Sequence, residues 1–302
     1  MNSRTTYLAP GVFNIISIMF SLCVTTESGG AVFVDNYGIS MEIESCSFHD
    51  CKATSSDSRG GAIVAISSTI VSLKYLCFAQ CFGTWGSSYV CWISKIDHLI
   101  DIYSSEVGGV SNQHGPCPAS QISLEFKNNN LSRTKSLIYC GGFFFLSAPH
   151  SSLFLFSQVC DSDTASFISL FVSAPSITYQ YWNMINNTIL TGSMNGGWVQ
   201  LHGQNTNVLL QNMIFIQNNM INKILSWHGS SASLRLTDCI ISNDINSQFF
   251  SNCIMDSCVT QNSITYHQLY IYQTFLCKGS YYTLYSSYIR KDIYFALLFL
   301  QI

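Results

Sequence analysis

Apolar residues along the chain recur in one short pattern. Each copy reads apolar, two spacers, apolar, one spacer, large apolar, two spacers, and usually then cysteine or asparagine. The clear copies are Ile15-Ile18-Phe20-Cys23, Ile43-Cys46-Phe48-Cys51, Leu73-Leu76-Phe78-Cys81, Tyr179-Trp182-Met184-Asn187, Leu210-Met213-Phe215-Asn218 and Leu236-Cys239-Ile241-Asp244, with partial copies around Leu124-Phe126-Asn129 and Phe154-Phe156. A repeat of roughly 23 to 33 residues over most of a chain predicts a solenoid, because each unit buries its apolar face only against its neighbours.

A second element follows the first within a unit. Paired glycines lead into short apolar runs at Gly29-Gly30, Gly60-Gly61, Gly141-Gly142 and Gly196-Gly197. Since glycine adopts positive φ and allows close backbone approach, each pair predicts a turn into a strand. Stretches rich in Ser, Asn, Thr and Gly between the elements predict turns of variable length. Each unit therefore predicts two or three short strands, which make one coil of a parallel β-helix.

Together these elements predict an all-β protein, a single right-handed parallel β-helix of about eight coils over residues 12–248. Residues 249–302 are rich in tyrosine and break the repeat, so we expect an irregular C-terminal cap or flanking segment there. A leucine-rich-repeat solenoid is the alternative, since the first motif alone resembles its signature. Against that alternative, the last leucine of the signature is replaced by Thr25, Ala53 and Gly83, and the units lack a charged helical stretch.

The composition agrees with strands and turns. Of the 302 residues, 48% are hydrophobic and only 10% are Asp, Glu, Lys or Arg, well below the usual quarter. Helix surfaces usually carry Lys, Glu and Arg, so a surface built from Ser, Thr, Asn and Gln favours strands. A net charge of −3 without a basic cluster predicts no nucleic-acid partner. Because no nucleotide-binding loop occurs, we also expect no small-molecule cofactor.

Two apolar segments bear on localisation. The segment from Val12 to Val24 resembles the apolar region of a signal peptide, yet it also matches the repeat, so we expect a first, partial coil. The run from Ile293 to Leu300 is too short to span a bilayer, which needs about 20 apolar residues. We therefore expect neither a clear signal peptide nor a transmembrane helix. A pattern that starts and ends within a unit also fits a truncated gene product.

Short motifs carry a family resemblance. Gly60-Gly61-Ala62-Ile63 and Phe215-Ile216-Gln217-Asn218 resemble the GGAI and FxxN repeats of polymorphic-membrane-protein-type β-helices. Phe48-His49-Asp50-Cys51 and Phe78-Ala79-Gln80-Cys81 look like the second repeat with cysteine replacing asparagine. Such repeats occur in bacterial autotransporter passenger domains and in protist surface proteins. The resemblance implies a right-handed parallel β-helix outside the cell, with a role in adhesion or surface variation.

Cys23, Cys51 and Cys81 fill the last position of three successive copies. Stacked coils lie about 4.8 Å apart, so these residues are predicted to form one column. We expect them to be either small, buried apolar residues or disulfide partners, since adjacent coils bring Cα atoms within disulfide range. The spacings of the 13 cysteines lack the usual zinc-binding pairs, so no metal site is predicted.

Asparagines are expected to serve two purposes. Asn129, Asn187 and Asn218 end copies of the motif and are predicted to be structural, because stacked asparagines can hydrogen-bond along a solenoid. Sequons begin at Asn130 and Asn186 in predicted turns, which makes both residues candidates for N-glycosylation in an exported eukaryotic protein.

These observations favour a non-enzymatic β-helix scaffold, secreted or at the cell surface, that recognises host or cell-surface glycans or proteins. A carbohydrate-active enzyme of the polysaccharide lyase or glycosidase type is the alternative, because parallel β-helices also host such enzymes. That chemistry needs carboxylates that converge from successive coils, and the 16 acidic residues are scattered. His202 and His228 faintly resemble the histidine element of polygalacturonases. A truncated, inactive paralogue is the third interpretation.

Overall fold

The described part of the structure consists of strands and turns. The computed structural model describes residues 11–108, 115–149, 152–172, 176–189, 197–202, 207–219, 225–228, 233–242 and 253–261, and it contains no helix within these ranges. In chain order the strands are β1 Gly11–Ile16, β2 Met19–Ser21, β3 Val24–Thr25, β4 Val32–Asp35, β5 Ile39–Glu44, β6 Ser47–His49, β7 Lys52–Ala53, β8 Ile63–Ile66, β9 Ile70–Ala79, β10 Tyr89–Ser105, β11 Cys117–Lys127, β12 Asn130–Ser132, β13 Lys135–Ala148, β14 Leu153–Leu155, β15 Gln158–Cys160, β16 Asp163–Val172, β17 Ser176–Gln180, β18 Asn183–Ile185, β19 Thr188–Ile189, β20 Gly197–His202, β21 Asn207–Gln211, β22 Ile214–Ile216, β23 Leu225–His228, β24 Ser233–Thr237, β25 Ile240–Ser242, β26 Ile254–Asp256 and β27 Val259–Gln261.

Parallel pairing stacks most of these strands into three ladders, while β3 pairs with β7 and the start of β16 pairs with β19 outside them. The first ladder contains β4, β8, β10, β11, β13, β16, β20 and β23. The second contains β1, β5, β9, β10, β11, β14, β17, β21, β24 and β26. The third contains β2, β6, β9, β10, β12, β15, β18, β22, β25 and β27. Because the chain passes through the three ladders in this order once per coil, the fold is a parallel β-helix, as predicted.

The number of coils differs slightly from the predicted eight. The first ladder has eight strands, whereas the second and third have ten each. These two ladders continue through β26 and β27 to Gln261, past residue 248. The division of the chain at residue 248 stays a prediction, and residues 262–302 of the tyrosine-rich segment lie outside the described residues. The leucine-rich-repeat alternative is wrong, because each complete coil closes through strands of the first ladder.

Inward-facing side chains of successive coils stack into a continuous core. One column of the second ladder consists of Ile15, Ile43, Leu73, Leu99, Phe126, Phe154, Tyr179, Leu210 and Leu236, all of them buried. In the third ladder the rings of Phe20, Phe48 and Phe78 stack with centroids 4.9 Å apart. This distance matches the spacing of about 4.8 Å between neighbouring strands. In-register pairing therefore stacks inward-facing side chains of successive coils on one another.

The middle of the chain follows a register that differs from the predicted one. Phe126 pairs with Leu99 and with Phe154. Both phenylalanines therefore occupy the first position of the motif, and not the later positions that the predicted partial copies gave them. A complete copy precedes them, Leu99-Ile102-Ser104-Val107, in register with Leu73-Leu76-Phe78-Cys81. The sequence pattern missed this copy because a small polar residue and a valine replace its large apolar and cysteine positions.

Paired glycines are required where two coils enter the first ladder. Gly60 has a φ of 57°, a conformation that L side chains rarely adopt. A Cβ atom on Gly61 would collide with the carbonyl oxygen of Ser87 on the next coil. Gly29 has a φ of 71°, and a Cβ on Gly30 would collide with the carbonyl of Gly61. The predicted turn into a strand is therefore confirmed for these two pairs.

Each coil also turns at two corners through a residue with left-handed backbone. The first corner joins the second ladder to the third, as at Ser45, and the second corner follows the third ladder, as at Asp50, with φ of 54° and 51°. The residue after the corner points inward, and its backbone N–H is directed along the helix axis. The N–H of Ile18 thus meets Cys46 Sγ at 3.4 Å, and the N–H of Asn187 meets Asn218 Oδ1 at 3.0 Å.

Asparagine and cysteine both supply hydrogen-bond partners for the buried backbone groups at these corners. Besides accepting from Asn187, Asn218 donates through Nδ2 to the carbonyl oxygen of Met184 at 2.8 Å. Besides accepting from Ile18, Cys46 Sγ lies 3.2 Å from the carbonyl oxygen of Glu44 and 3.7 Å from that of Ile15, and its single S–H can donate to one of them. A thiol makes both bonds more weakly than an amide does. This shared task explains why the motif accepts either residue, and it confirms the predicted structural role of Asn187 and Asn218.

We predict that Asn218→Ala lowers the free energy of unfolding by about 1–3 kcal/mol, because it leaves buried backbone groups without partners. Asn218→Cys is expected to lose less, since a thiol can still donate and accept. Asn207→Ala, at an exposed asparagine, is the control and should stay within about 0.5 kcal/mol of the parent. Urea unfolding followed by circular dichroism measures all three. Equal losses for the alanine and cysteine variants would contradict the shared task.

Candidate functional site

Three polar side chains on the outer face of the second ladder lie on successive coils. Pairing of β9, β10 and β11 places Ser72, His98 and Glu125 in one column. His98 Nδ1 lies 3.0 Å from Glu125 Oε2, and the two side chains are 39% and 35% exposed. Ser72 is 7% exposed, and its hydroxyl has no hydrogen-bond partner within the described residues. The column thus contains a buried hydroxyl, a half-exposed imidazole and a partly exposed carboxylate in that order.

This order is the one that acid–base catalysis uses. The carboxylate orients the imidazole through Nδ1, which leaves Nε2 to exchange a proton with a hydroxyl or a water. Ser72 lies one strand spacing, about 4.8 Å, from the strand that carries His98. Sequence reasoning missed the column because His98 lies next to the unrecognised copy that begins at Leu99. The signal that could have found it is the one-coil spacing, 27 residues between His98 and Glu125.

The second corner carries another polar surface, here named the polar edge. It consists of Asp50, Gln80, Glu106, Arg133, Asp161, Asn186 and Gln217, all with positive φ and all exposed or half-buried. Gln80 Nε2 donates to Glu106 Oε2 at 2.9 Å, and Arg133 Nη1 lies 2.6 Å from Glu106 Oε1. Asn186 Nδ2 donates to Asp161 Oδ1 at 2.7 Å. The polar edge is therefore a row of donors and acceptors that fix one another across coils.

Cys23, Cys51 and Cys81 form the predicted column. All three are free thiols; Cys23 is half-buried, whereas Cys51 and Cys81 are buried. Their backbones lie in register, because Val24 pairs with Lys52 and Lys52 with Phe82. Burial, followed by the neighbouring Cys51, raises the pKa of the Cys23 thiol. The hydrogen bond to Cys81 and burial raise the pKa of the Cys51 thiol far above its ordinary value.

The two sequon asparagines occupy different environments. Asn186 is exposed at the second corner, where its Nδ2 donates to Asp161 Oδ1. Asn130 is only 4% exposed within β12, so it lies in a strand and not in the predicted turn. Its burial disfavours a glycan in the folded chain. Asn129 lies after the first corner and not at the last motif position, and its Nδ2 donates to the carbonyl oxygen of Leu99 at 2.8 Å.

Asp97, the residue before His98, carries a buried carboxyl in the interior of the β-helix. Asp97 is fully buried on β10, between Val71 and Leu124 of the neighbouring coils. Its Oδ1 accepts a hydrogen bond from Ser94, while Oδ2 has no partner within the described residues. Burial raises the pKa of Asp97 to about 7, against the opposing effect of the Ser94 hydrogen bond. Asp97 is therefore neutral in the folded state under mildly acidic conditions.

Other chemistry is limited in the residues that the structure describes. The backbones of His202 and His228 pair in register between β20 and β23. Among the described residues, no group of three or more His, Cys, Asp or Glu side chains could hold a metal ion. No helix in the described ranges is long and apolar enough to cross a membrane.

Comparisons with known proteins add no family assignment. No protein-family model matches the chain, and no curated protein or solved structure matches it.

We predict that the parent protein loses stability as pH rises from about 4 to 7, and that Asp97→Asn removes much of this dependence. The raised pKa means that the folded state holds the Asp97 proton more tightly than the unfolded state does. The resulting contribution to the free energy of unfolding is complete below the pKa of Asp97 in the unfolded state, and it is lost as pH rises through the pKa in the folded state. A shift of about 3 units corresponds to about 4 kcal/mol at most. Urea unfolding of both proteins at several pH values measures the difference, and parallel pH profiles would contradict the assignment.

Proposed function

We propose that this chain is a non-enzymatic recognition scaffold, secreted or displayed at the cell surface, that binds host or cell-surface glycans or proteins. The polar edge is the observation that supports this most directly. Its Gln80–Glu106–Arg133 network links three successive coils through side chains alone. Because these side chains already hold one another, a partner that contacts them has fewer rotamers to immobilise. The resemblance to GGAI and FxxN repeats supports the same class of function and the same location.

The chemistry of the polar edge favours particular partners. Carboxylates at Asp50, Glu106 and Asp161 outnumber the guanidinium of Arg133, which opposes binding of a nucleic-acid backbone. Amides at Gln80, Asn186 and Gln217 both donate and accept hydrogen bonds. Neighbouring coils repeat these groups at about 4.8 Å. An extended partner with regularly spaced hydroxyl or amide groups, such as a glycan chain or a peptide, fits this arrangement.

We predict that Arg133→Gln weakens binding on the order of tenfold, because it removes the charged donor at the centre of the polar edge. The purified chain is screened on a glycan array and on intact cells, and the strongest ligand is then titrated by surface plasmon resonance. Arg235→Gln is the matched control, since Arg235 Nε also pairs with a carboxylate, Asp256 Oδ2 at 2.9 Å, but on the second ladder. Equal affinities of the two variants, or no ligand in either screen, would contradict the proposal.

A carbohydrate-active enzyme is the second candidate function, and the column of Ser72, His98 and Glu125 is the observation that favours it. Glu125 holds the imidazole of His98 in one orientation. His98 could then act as a general base towards the Ser72 hydroxyl or a water, in hydrolysis of ester groups or glycosidic bonds of a polysaccharide. The half-exposed position of the imidazole on an open sheet face allows access by a polymer.

For this second candidate, we predict that His98→Ala lowers hydrolysis by at least about a hundredfold, the usual contribution of a general base. Release of reducing ends and of acyl groups from a panel of polysaccharides is the measurement. His49→Ala removes a half-exposed histidine from the third ladder and serves as the control. No release by the parent protein, or equal rates in the two variants, would eliminate this candidate.

A further inference from the structure

Cysteines of neighbouring coils lie side by side at two separate places in the β-helix. In the column at the second corner, Cys23 and Cys51 lie in register on adjacent coils, because Val24 pairs with Lys52. Near the other end of the described β-helix, Cys239 and Cys258 lie in register on adjacent coils, because Ile240 pairs with Val259. All four are free thiols in the structure. In both pairs one cysteine is buried and its partner is half-buried.

The backbone brings each pair within disulfide range. The amide N–H of Lys52 donates to the Cys23 carbonyl at 2.8 Å, and that of Val259 donates to the Cys239 carbonyl at 2.9 Å. The cysteines of each pair therefore lie on adjacent rungs, about 4.8 Å apart, inside the Cα range of about 4.4–6.8 Å that disulfides span. Cys51 Sγ donates a hydrogen bond to the carbonyl oxygen of His49, and Cys258 Sγ donates one to the carbonyl oxygen of Asp256. These hydrogen bonds hold the two side chains in their columns.

The three thiols differ in exposure, and this difference determines which pair is oxidised. Cys51 lies in register with both Cys23 and Cys81, so two disulfides are geometrically available. Only Cys23 of the three is half-buried, whereas Cys81 is fully buried. A soluble oxidant reaches the folded column at Cys23 first. The Cys23–Cys51 bond is then the one that forms.

The coils that carry the half-buried cysteines also bury little apolar surface. Val12 and Leu22 are 72% and 73% exposed, and Ile254 and Val259 are 51% and 50% exposed. Apolar burial therefore holds these outer coils less firmly than those of the middle. A covalent link to the next coil stabilises such a segment by restricting its unfolded conformations.

We propose that Cys23–Cys51 and Cys239–Cys258 are two inter-coil disulfide sites that fasten the outer described coils to the helix under oxidising conditions. Glutathione disulfide represents the class of oxidant. The Cys23 thiolate attacks one of its sulfurs, which forms a mixed disulfide and releases one glutathione thiolate. The Cys51 thiolate then attacks the Cys23 sulfur, which forms the intramolecular bond and releases the second glutathione thiolate. The two protons lost by the cysteines are taken up by the two glutathione thiolates. Cys258 and Cys239 react in the same order.

The test is oxidation of the full chain with glutathione disulfide at about pH 8.5, where thiolates are more abundant. Remaining thiols are alkylated, and non-reduced peptides are mapped by mass spectrometry. We expect linked peptides for Cys23–Cys51 and Cys239–Cys258, each two hydrogen atoms lighter than the sum of its parts. Protease digestion of the oxidised protein should release the two outer coils several-fold more slowly than digestion of the reduced protein.

Matched variants separate this proposal from its rivals. Cys81→Ser should keep the Cys23–Cys51 link, whereas Cys51→Ser should lose it and the protease protection of the first coil. A Cys51–Cys81 link would overturn the first site, and a Cys253–Cys258 link would overturn the second. Full alkylation of all four cysteines after oxidation would overturn both. Because peptide mapping reads the bond itself, a variant that folds poorly does not obscure the result obtained with the parent protein.

Discussion

The closing of each coil is the constraint on which this structure depends. A strand ladder satisfies backbone groups along the sides of the helix, but the chain must leave one ladder and enter the next through a left-handed residue. The N–H of the following residue then lies inside the helix, directed at the neighbouring coil. A buried N–H without a partner is costly, so the next coil must supply an acceptor at that place. Oxygen from Asn218 and sulfur from Cys46 both meet this need.

The choice of acceptor shapes the interior of the helix. Serine fills the same role at Ser157, which accepts from the N–H of Asn129 at 3.2 Å, and at Ser162, which accepts from that of Thr134 at 3.1 Å. Polar columns therefore run beside apolar columns without breaking the core. Where cysteine is the acceptor on neighbouring coils, the same constraint places the thiols side by side on adjacent coils. The proposed disulfide sites are in this sense a consequence of how the corners are satisfied.

The outer surface follows from the same geometry. In-register stacking brings together residues that are one coil apart in sequence, such as His98 with Glu125 and Glu106 with Arg133. Recognition by the polar edge and acid–base chemistry by the serine–histidine–glutamate column both depend on this stacking. Neither arrangement is visible as a local motif. The inward face at Asp97 shows the opposite case, since there a carboxyl is stacked between apolar residues and burial raises its pKa.

The repeat of apolar positions, together with the paired glycines, determined the fold class, because strands with one inward face must stack on neighbours of the same kind. It also identified the structural roles of Asn187 and Asn218 and the column of Cys23, Cys51 and Cys81, since equivalent motif positions meet on adjacent coils. Only the tertiary structure decided the register of the middle coils, where Ser104 and Val107 depart from the motif and hide a full copy. It also decided which polar residues face outward together and which, like Asn130 and Asp97, are buried. The physical reason is that contacts between coils depend on the length of each turn, and the pattern within one coil does not encode that length.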